Sequence, residues 1–85
     1  MTMREAFNAL VEGIIRFEHS EQYEQASNED INKVKFHLKR ARESLEKIEE
    51  GNYMHIELLE SDFRISIRKL NAILNKYGID VQYKE

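Results

Sequence analysis

The chain has no cysteine, no proline and no tryptophan, and only three glycines, at Gly13, Gly51 and Gly78. The lack of cysteine excludes a disulfide and a thiolate metal site, and it suits a reducing compartment. So few turn-forming residues argue against a turn-rich β-fold and favour long, uninterrupted helices. No apolar run approaches the roughly 18 residues that cross a bilayer. The first residues, Met-Thr-Met-Arg-Glu, lack the apolar stretch of a secretory signal. The expectation is a soluble, cytoplasmic protein that does not enter a membrane.

Sites of chemistry are scarce as well. There is no glycine-rich phosphate loop and no His-Glu-x-x-His zinc motif. A carboxylate-bridged metal bundle needs Glu-x-x-His pairs, but Arg16, Val34 and Asn52 stand three residues before His19, His37 and His55. Ser20, Ser27, Ser44, Ser61 and Ser66 lie in no nucleophile motif. The chain is therefore expected to be non-enzymatic, with no catalytic residues, no metal and no cofactor. Its motifs point to no particular family.

Eighty-five residues make one domain, spanning residues 1–85. Single cores near or below about 80 residues are usually marginal without a staple. With disulfides excluded and no metal ligands in view, self-association is the staple that remains.

Hydrophobic periodicity predicts an all-α, three-helix antiparallel bundle, made of a helical hairpin and an N-terminal helix. The helices are expected at about 3–24, 28–50 and 53–77, followed by a short tail at 79–85. Thr2-Met3-Arg4-Glu5 has the form of a capping box. Met3, Phe7, Leu10, Ile14 and Phe17 then recur at steps of four and three and form one apolar face. Gly13 lies beside that face. Glycine inside a helix costs about 1 kcal/mol relative to alanine, so close approach of a neighbouring helix is expected there, with a ligand against bare backbone as the alternative.

Ser27 or Asn28 can cap the second helix, with Glu29 and Asp30 in its first turn. Ile31, Val34, Leu38, Ala41, Leu45 and Ile48 keep an unbroken three-four spacing, the seam of a coiled coil or bundle. Gly51 supplies a left-handed residue to end this helix. Asn52 is positioned to cap the third after a very short turn, which makes an antiparallel hairpin. Gly78 ends the third helix, and Ile79 stands where a Schellman motif turns back onto Leu74. The tail alternates apolar and polar residues and is expected to lie against the bundle.

The third helix has apolar residues on two faces. Ile56, Leu59, Phe63, Ile67, Leu70, Leu74 and Tyr77 form one stripe. Met54, Leu58, Ile65 and Ala72 form another, roughly 180° away at about 100° per residue. The first stripe can face the chain's own core. The second needs another cover, so Met54, Leu58, Ile65 and Ala72 are the expected oligomer interface, with a homodimer favoured.

The net charge of −3 is unevenly spread. Residues 1–30 carry −5, residues 31–47 carry +4 and residues 48–85 carry −2. The basic segment lies on the second helix. Away from its seam, Lys33, Phe36, His37, Arg40, Ser44 and Lys47 form a stripe at i, i+3, i+4, i+7 spacing. An aromatic among bases can anchor in a protein pocket or stack on a nucleobase. Lys33, Phe36, His37, Arg40 and Lys47 are accordingly the candidate partner- or ligand-binding residues. The bland alternative is that the first helix or another subunit covers Phe36 while the bases pair with nearby acids.

These features predict a small regulator, inhibitor or adaptor of a larger protein. The runner-up is an oligomer that binds a phosphorylated ligand or nucleic acid through the basic face. Net acidity counts against general DNA binding, so a protein partner is expected before an anionic ligand.

Overall fold

The computed structural model describes residues 2–51 and 55–81. These residues form four helices and no strand: α1 (Met3–Glu18), α2 (Glu21–Gln25), α3 (Asn28–Glu49) and α4 (Ile56–Lys76). Among them, no helix is long and apolar enough to cross a membrane.

The start of α1 is fixed by its first four residues. The Thr2 amide donates to the Glu5 carboxylate at 3.2 Å, and the Glu5 amide donates to the Thr2 hydroxyl at 3.1 Å. This reciprocal pair satisfies two of the donors that a helix start leaves open. At the start of α3 the cap is Ser27, whose hydroxyl accepts from the Asp30 amide at 3.1 Å.

The first helix is shorter than its periodicity predicts. Instead of running on to about residue 24, it stops at Glu18, and a separate five-residue helix follows. Ser20 explains the break. Its amide and its hydroxyl both donate to the Phe17 carbonyl, at 3.0 and 2.6 Å. A serine side chain that bonds nearby backbone offers the chain an alternative to the helical ladder. The chain turns at Ser20, and the Tyr23 ring lands edge-on to Phe17 with centroids 5.3 Å apart.

The hairpin turn also departs from expectation. Gly51 has φ +82°, as the end of a helix at this point requires. However, α4 begins at Ile56, with His55 in the cap position and no side-chain cap bond. Asn52, expected as the cap, lies outside the described residues, as does Met54.

Two polar links show how the helix ends meet. Arg4 in the first turn of α1 donates to the carboxylate of Glu49 at the end of α3, with its Nε at 3.0 Å. Asp30, at the start of α3, accepts from Lys76 Nζ at 2.7 Å and from the Tyr77 hydroxyl at the end of α4. The start of α1 thus lies at the end of α3, and the start of α3 at the end of α4, around one core.

That core joins Phe7, Leu10, Ile14 and Phe17 of α1 to Val34, Ala41 and Leu45 of α3 and to Phe63, Ile67, Leu70 and Leu74 of α4. Leu10, Phe17, Leu45, Phe63, Ile67, Leu70 and Leu74 are fully buried. Each such side chain contributes about 1.5–3 kcal/mol relative to exposure. Ile31, Leu38, Ile48, Ile56, Leu59 and Tyr77, also predicted on the seams, are half-buried.

The chain after α4 turns as expected. The Ile79 amide donates to the Leu74 carbonyl at 2.9 Å and the Gly78 amide to that of Asn75 at 3.0 Å, with Gly78 at φ +77°. This Schellman pair directs Val81 back into the core, where it is buried. The close neighbour at Gly13 is accordingly not only a helix. A Cβ at Gly13 would lie 2.8 Å from Val81 Cγ2 and 3.3 Å from Leu74 Cδ1. The Arg16 guanidinium donates to the Asp80 carbonyl at 2.8 Å and holds the tail in place. Residues 82–85 lie outside the described residues.

The molecule measures 42 × 24 × 16 Å, with a radius of gyration of 13.1 Å. A compact chain of this length scales to about 12 Å. The protein is thus a flattened slab with a broad lateral surface.

Candidate functional site

Helix α1 packs on the hairpin of α3 and α4 through Phe7, Leu10, Ile14 and Phe17. Four large hydrophobic side chains among the described residues remain exposed: Ile15 on α1, Phe36 on α3, and Leu58 and Ile65 on α4. Phe36 is 54%, Leu58 64% and Ile65 47% accessible. These three belong to two stripes that the sequence assigns to different tasks, recognition and oligomerisation. The fold brings them together on the hairpin.

The meeting place is a groove between α3 and α4. One depression of about 210 Å³ is lined by Phe36, His37 and Arg40 on α3, and by Asp62, Ile65, Ser66 and Lys69 on α4. A second, of about 160 Å³, adjoins it and is lined by Arg40, Glu43, Ser44 and Lys47 with Leu59 and Asp62. Arg40 and Asp62 border both. Ser44 and Ser66 are buried, and these small side chains let the groove exist between the two helices. Leu58 lies one turn before Asp62, on the same side of α4.

The electrostatics of the groove follow from its helical spacing. Arg40 stands one turn after Phe36, and its guanidinium lies 5.7 Å from the Phe36 ring centroid, a cation–π distance. The His37 ring meets Phe36 edge-on at 5.2 Å. Partial burial holds the His37 pKa below its usual 6.5, and Lys69, Arg40 and Lys33 reinforce the shift. The shift favours the neutral ring. Arg40, Lys69 and Asp62 make no ion pair among the described residues.

The predicted recognition residues do not all converge. Phe36, His37 and Arg40 share the larger depression, and Lys47 lines only the smaller one. Lys33 lines neither and pairs with Glu29 at 3.0 Å, four residues before it on α3. Arg40 lies against the Phe36 ring, while Lys39 approaches Glu43 at 4.0 Å. Of the predicted oligomer stripe, Leu58, Ile65 and Ala72 are exposed, and Met54 lies outside the described residues.

Sequence reasoning missed the α4 half of the groove: Asp62, Lys69 and the placement of Ser66. The signal was present. Counting outward from the Gly51 turn along two antiparallel helices sets Asp62 beside Arg40 and Ser66 beside His37. His19 and His55 stand at the end of α1 and the start of α4, away from His37, and no group of three metal-ligating side chains occurs among the described residues.

A comparison with protein-family models, curated proteins and solved structures finds no match to this chain.

Proposed function

We propose that this protein is a small, non-enzymatic binding protein that self-associates and acts as a regulator, inhibitor or adaptor of a larger protein, with the outer face of α3 and α4 as its contact surface. In this reading the chain is a three-helix antiparallel bundle, with α2 as a short appendix to α1. It works in the cytoplasm as a homo-oligomer, a dimer first of all, and needs no cofactor.

One observation carries the proposal. Phe36, Leu58 and Ile65 remain exposed on one hairpin, beside a groove that also carries Arg40, Lys69 and Asp62 without ion-pair partners among the described residues. Interface centres are rich in aromatic residues and arginine, set within a polar rim. The groove has that composition.

The test has two parts. Sedimentation equilibrium over a wide concentration range should give a mass above that of one chain, and a monomer throughout rejects self-association. Immobilised protein should then retain the same partner from a lysate of its source cell as wild type and lose it as Phe36→Ala. Equal retention by wild type and Phe36→Ala rejects the face.

A second reading has one observation in its favour: Lys33, Arg40 and Lys69 all act on His37. Such a gathering of cations suits a phosphorylated ligand or a nucleic acid. Titration with inorganic phosphate and with a short single-stranded oligonucleotide separates the readings. Oligonucleotide binding that falls steeply with salt and is lost in Arg40→Glu supports the anionic ligand.

A further inference from the structure

We infer that the groove face is occupied by a second copy of this chain, packed face to face about a two-fold axis that runs along the hairpin, so that Arg40 of each protomer meets Asp62 of the other. This inference rests on the self-association proposed above and specifies its surface and register.

The groove supplies the reason. Arg40 on α3 and Asp62 on α4 both border each depression, which sets them at about the same height along the hairpin. A two-fold axis lying in the interface and parallel to the helices sets α3 of one protomer over α4 of the other and preserves height along the axis. Arg40 therefore arrives over Asp62 of its partner, and Asp62 over Arg40. The same operation sets Phe36 over Ile65, since both line the same depression one turn further along. Phe36 and Ile65 then cover one another across the interface, and Arg40 and Asp62 each receive the opposite charge. An isologous interface needs this self-complementarity.

The alternative in-plane axis, at right angles to the helices, does not bring Arg40 to Asp62. Centred at Arg40 and Asp62, it stacks each on its own copy. Centred at Phe36 and Ile65, it sends Arg40 of one protomer toward Lys33 of the other. Like charges brought together in an interface oppose association. Only the axis along the hairpin joins Arg40 of each protomer to Asp62 of the other.

The surface is also large enough. Two helices of about twenty residues, with about 1.5 Å rise and 8–10 Å spacing, present roughly 30 × 20 Å, so a face-to-face pair buries about 1,200 Å² in total, the lower bound for a specific interface. The product is an antiparallel four-helix layer with an α1 on each outer side. Any other protein that uses Phe36 must then displace the second copy, so partner binding and self-association compete.

Charge exchange between two variants tests the register. Arg40→Asp and Asp62→Arg are surface changes, and circular dichroism verifies that each variant stays helical. By sedimentation, each alone should dimerise at least about tenfold more weakly than wild type, because its two copies present like charges. An equimolar mixture should recover to within about threefold of wild type, because every contact then joins Asp to Arg. In a second measurement, Phe36→Cys chains are mixed with Ile65→Cys chains under mild oxidation. The mixture should cross-link more efficiently than either variant alone, and no native cysteine interferes. Wild type that is monomeric at every concentration overturns both the self-association and this inference. Wild-type dimers with indifferent variants, or weakened variants that mixing does not restore, overturn this register and leave self-association standing.

Discussion

Gly13 and Val81 should show sign reversal in a double-mutant cycle. Gly13 is buried in the interior of α1, where glycine is about 1 kcal/mol worse than alanine. Taken by itself, Gly13→Ala should stabilise. The structure opposes this, because the new Cβ would sit 2.8 Å from Val81 Cγ2 and 3.3 Å from Leu74 Cδ1. Carbon atoms prefer separations of about 3.5–4.0 Å, so Val81 must retreat by at least about 0.7 Å. The end of a leucine side chain can yield a few tenths of an ångström. Val81 is branched at Cβ and follows a turn pinned by Gly78 and by the Arg16 bond to Asp80, so it cannot yield without leaving its site. Losing its burial costs about 1.5–3 kcal/mol.

The net expectation for Gly13→Ala is destabilisation by about 1 kcal/mol, the difference between roughly 2 lost and 1 gained. Once Val81→Ala has removed the obstructing methyl, the same Gly13→Ala change should stabilise by about 1 kcal/mol, giving a coupling of about 2 kcal/mol. Urea unfolding followed by circular dichroism, at one protein concentration for all four proteins, measures each term. If Gly13→Ala has the same effect with valine or alanine at 81, the tail does not press on α1 and the reasoning fails.

Two further predictions concern titration. Hydrogen bonds from Lys76 and then Tyr77 hold the Asp30 carboxyl below its usual 3.8, and Glu5 and Glu49 are likewise held below their usual 4.5, by Thr2 and by Arg4. A lowered carboxyl pKa contributes stability that is present above the unfolded value and lost as pH falls through the folded one. Thermal stability should therefore decline below about pH 4, less steeply in Asp30→Asn, and an equal slope in that variant contradicts the assignment. The His37 pKa lies below its usual 6.5 chiefly through burial, with Lys69, Arg40 and Lys33 adding to it. NMR titration should show Lys69→Gln raising that pKa, and no change would mean that Lys69 does not reach the groove.

Much of the fold is legible because its signals are local. Thr2 and Glu5 announce a helix start within four residues, and Gly51 and Gly78 announce two helix ends by their need for positive φ. The apolar spacing from Val34 to Leu45 and from Phe63 to Leu74 marks buried faces without reference to any neighbour. The misreadings share one cause. Ser20 breaks the first helix through hydrogen bonds that serine can make or decline, and no proline or glycine marks the spot. Val81 fills the space over Gly13 through a turn-back after Gly78. The spacing of the tail announces only that it has an apolar side, not where that side lands.

The groove illustrates the same limit at the level of function. Phe36 on one helix and Ile65 on another each read as an exposed hydrophobic at an angle fixed by helical periodicity. Periodicity within a helix says nothing of how far each helix is rotated about its axis relative to its neighbour. The core decides that rotation. Val34, Ala41 and Leu45 turn one face of α3 inward, and Phe63, Ile67 and Leu70 do the same for α4. Once those faces meet α1, Phe36 and Ile65 have no freedom left and fall on the same side of the slab, bordering one groove. Lys69 and Asp62 are carried there by the same rotation, although neither stands out in its own helix. The two stripes that the sequence assigns to separate tasks, one on α4 and one on α3, thus meet at one depression through Ile65 and Phe36. A perturbation aimed at either stripe should act on both.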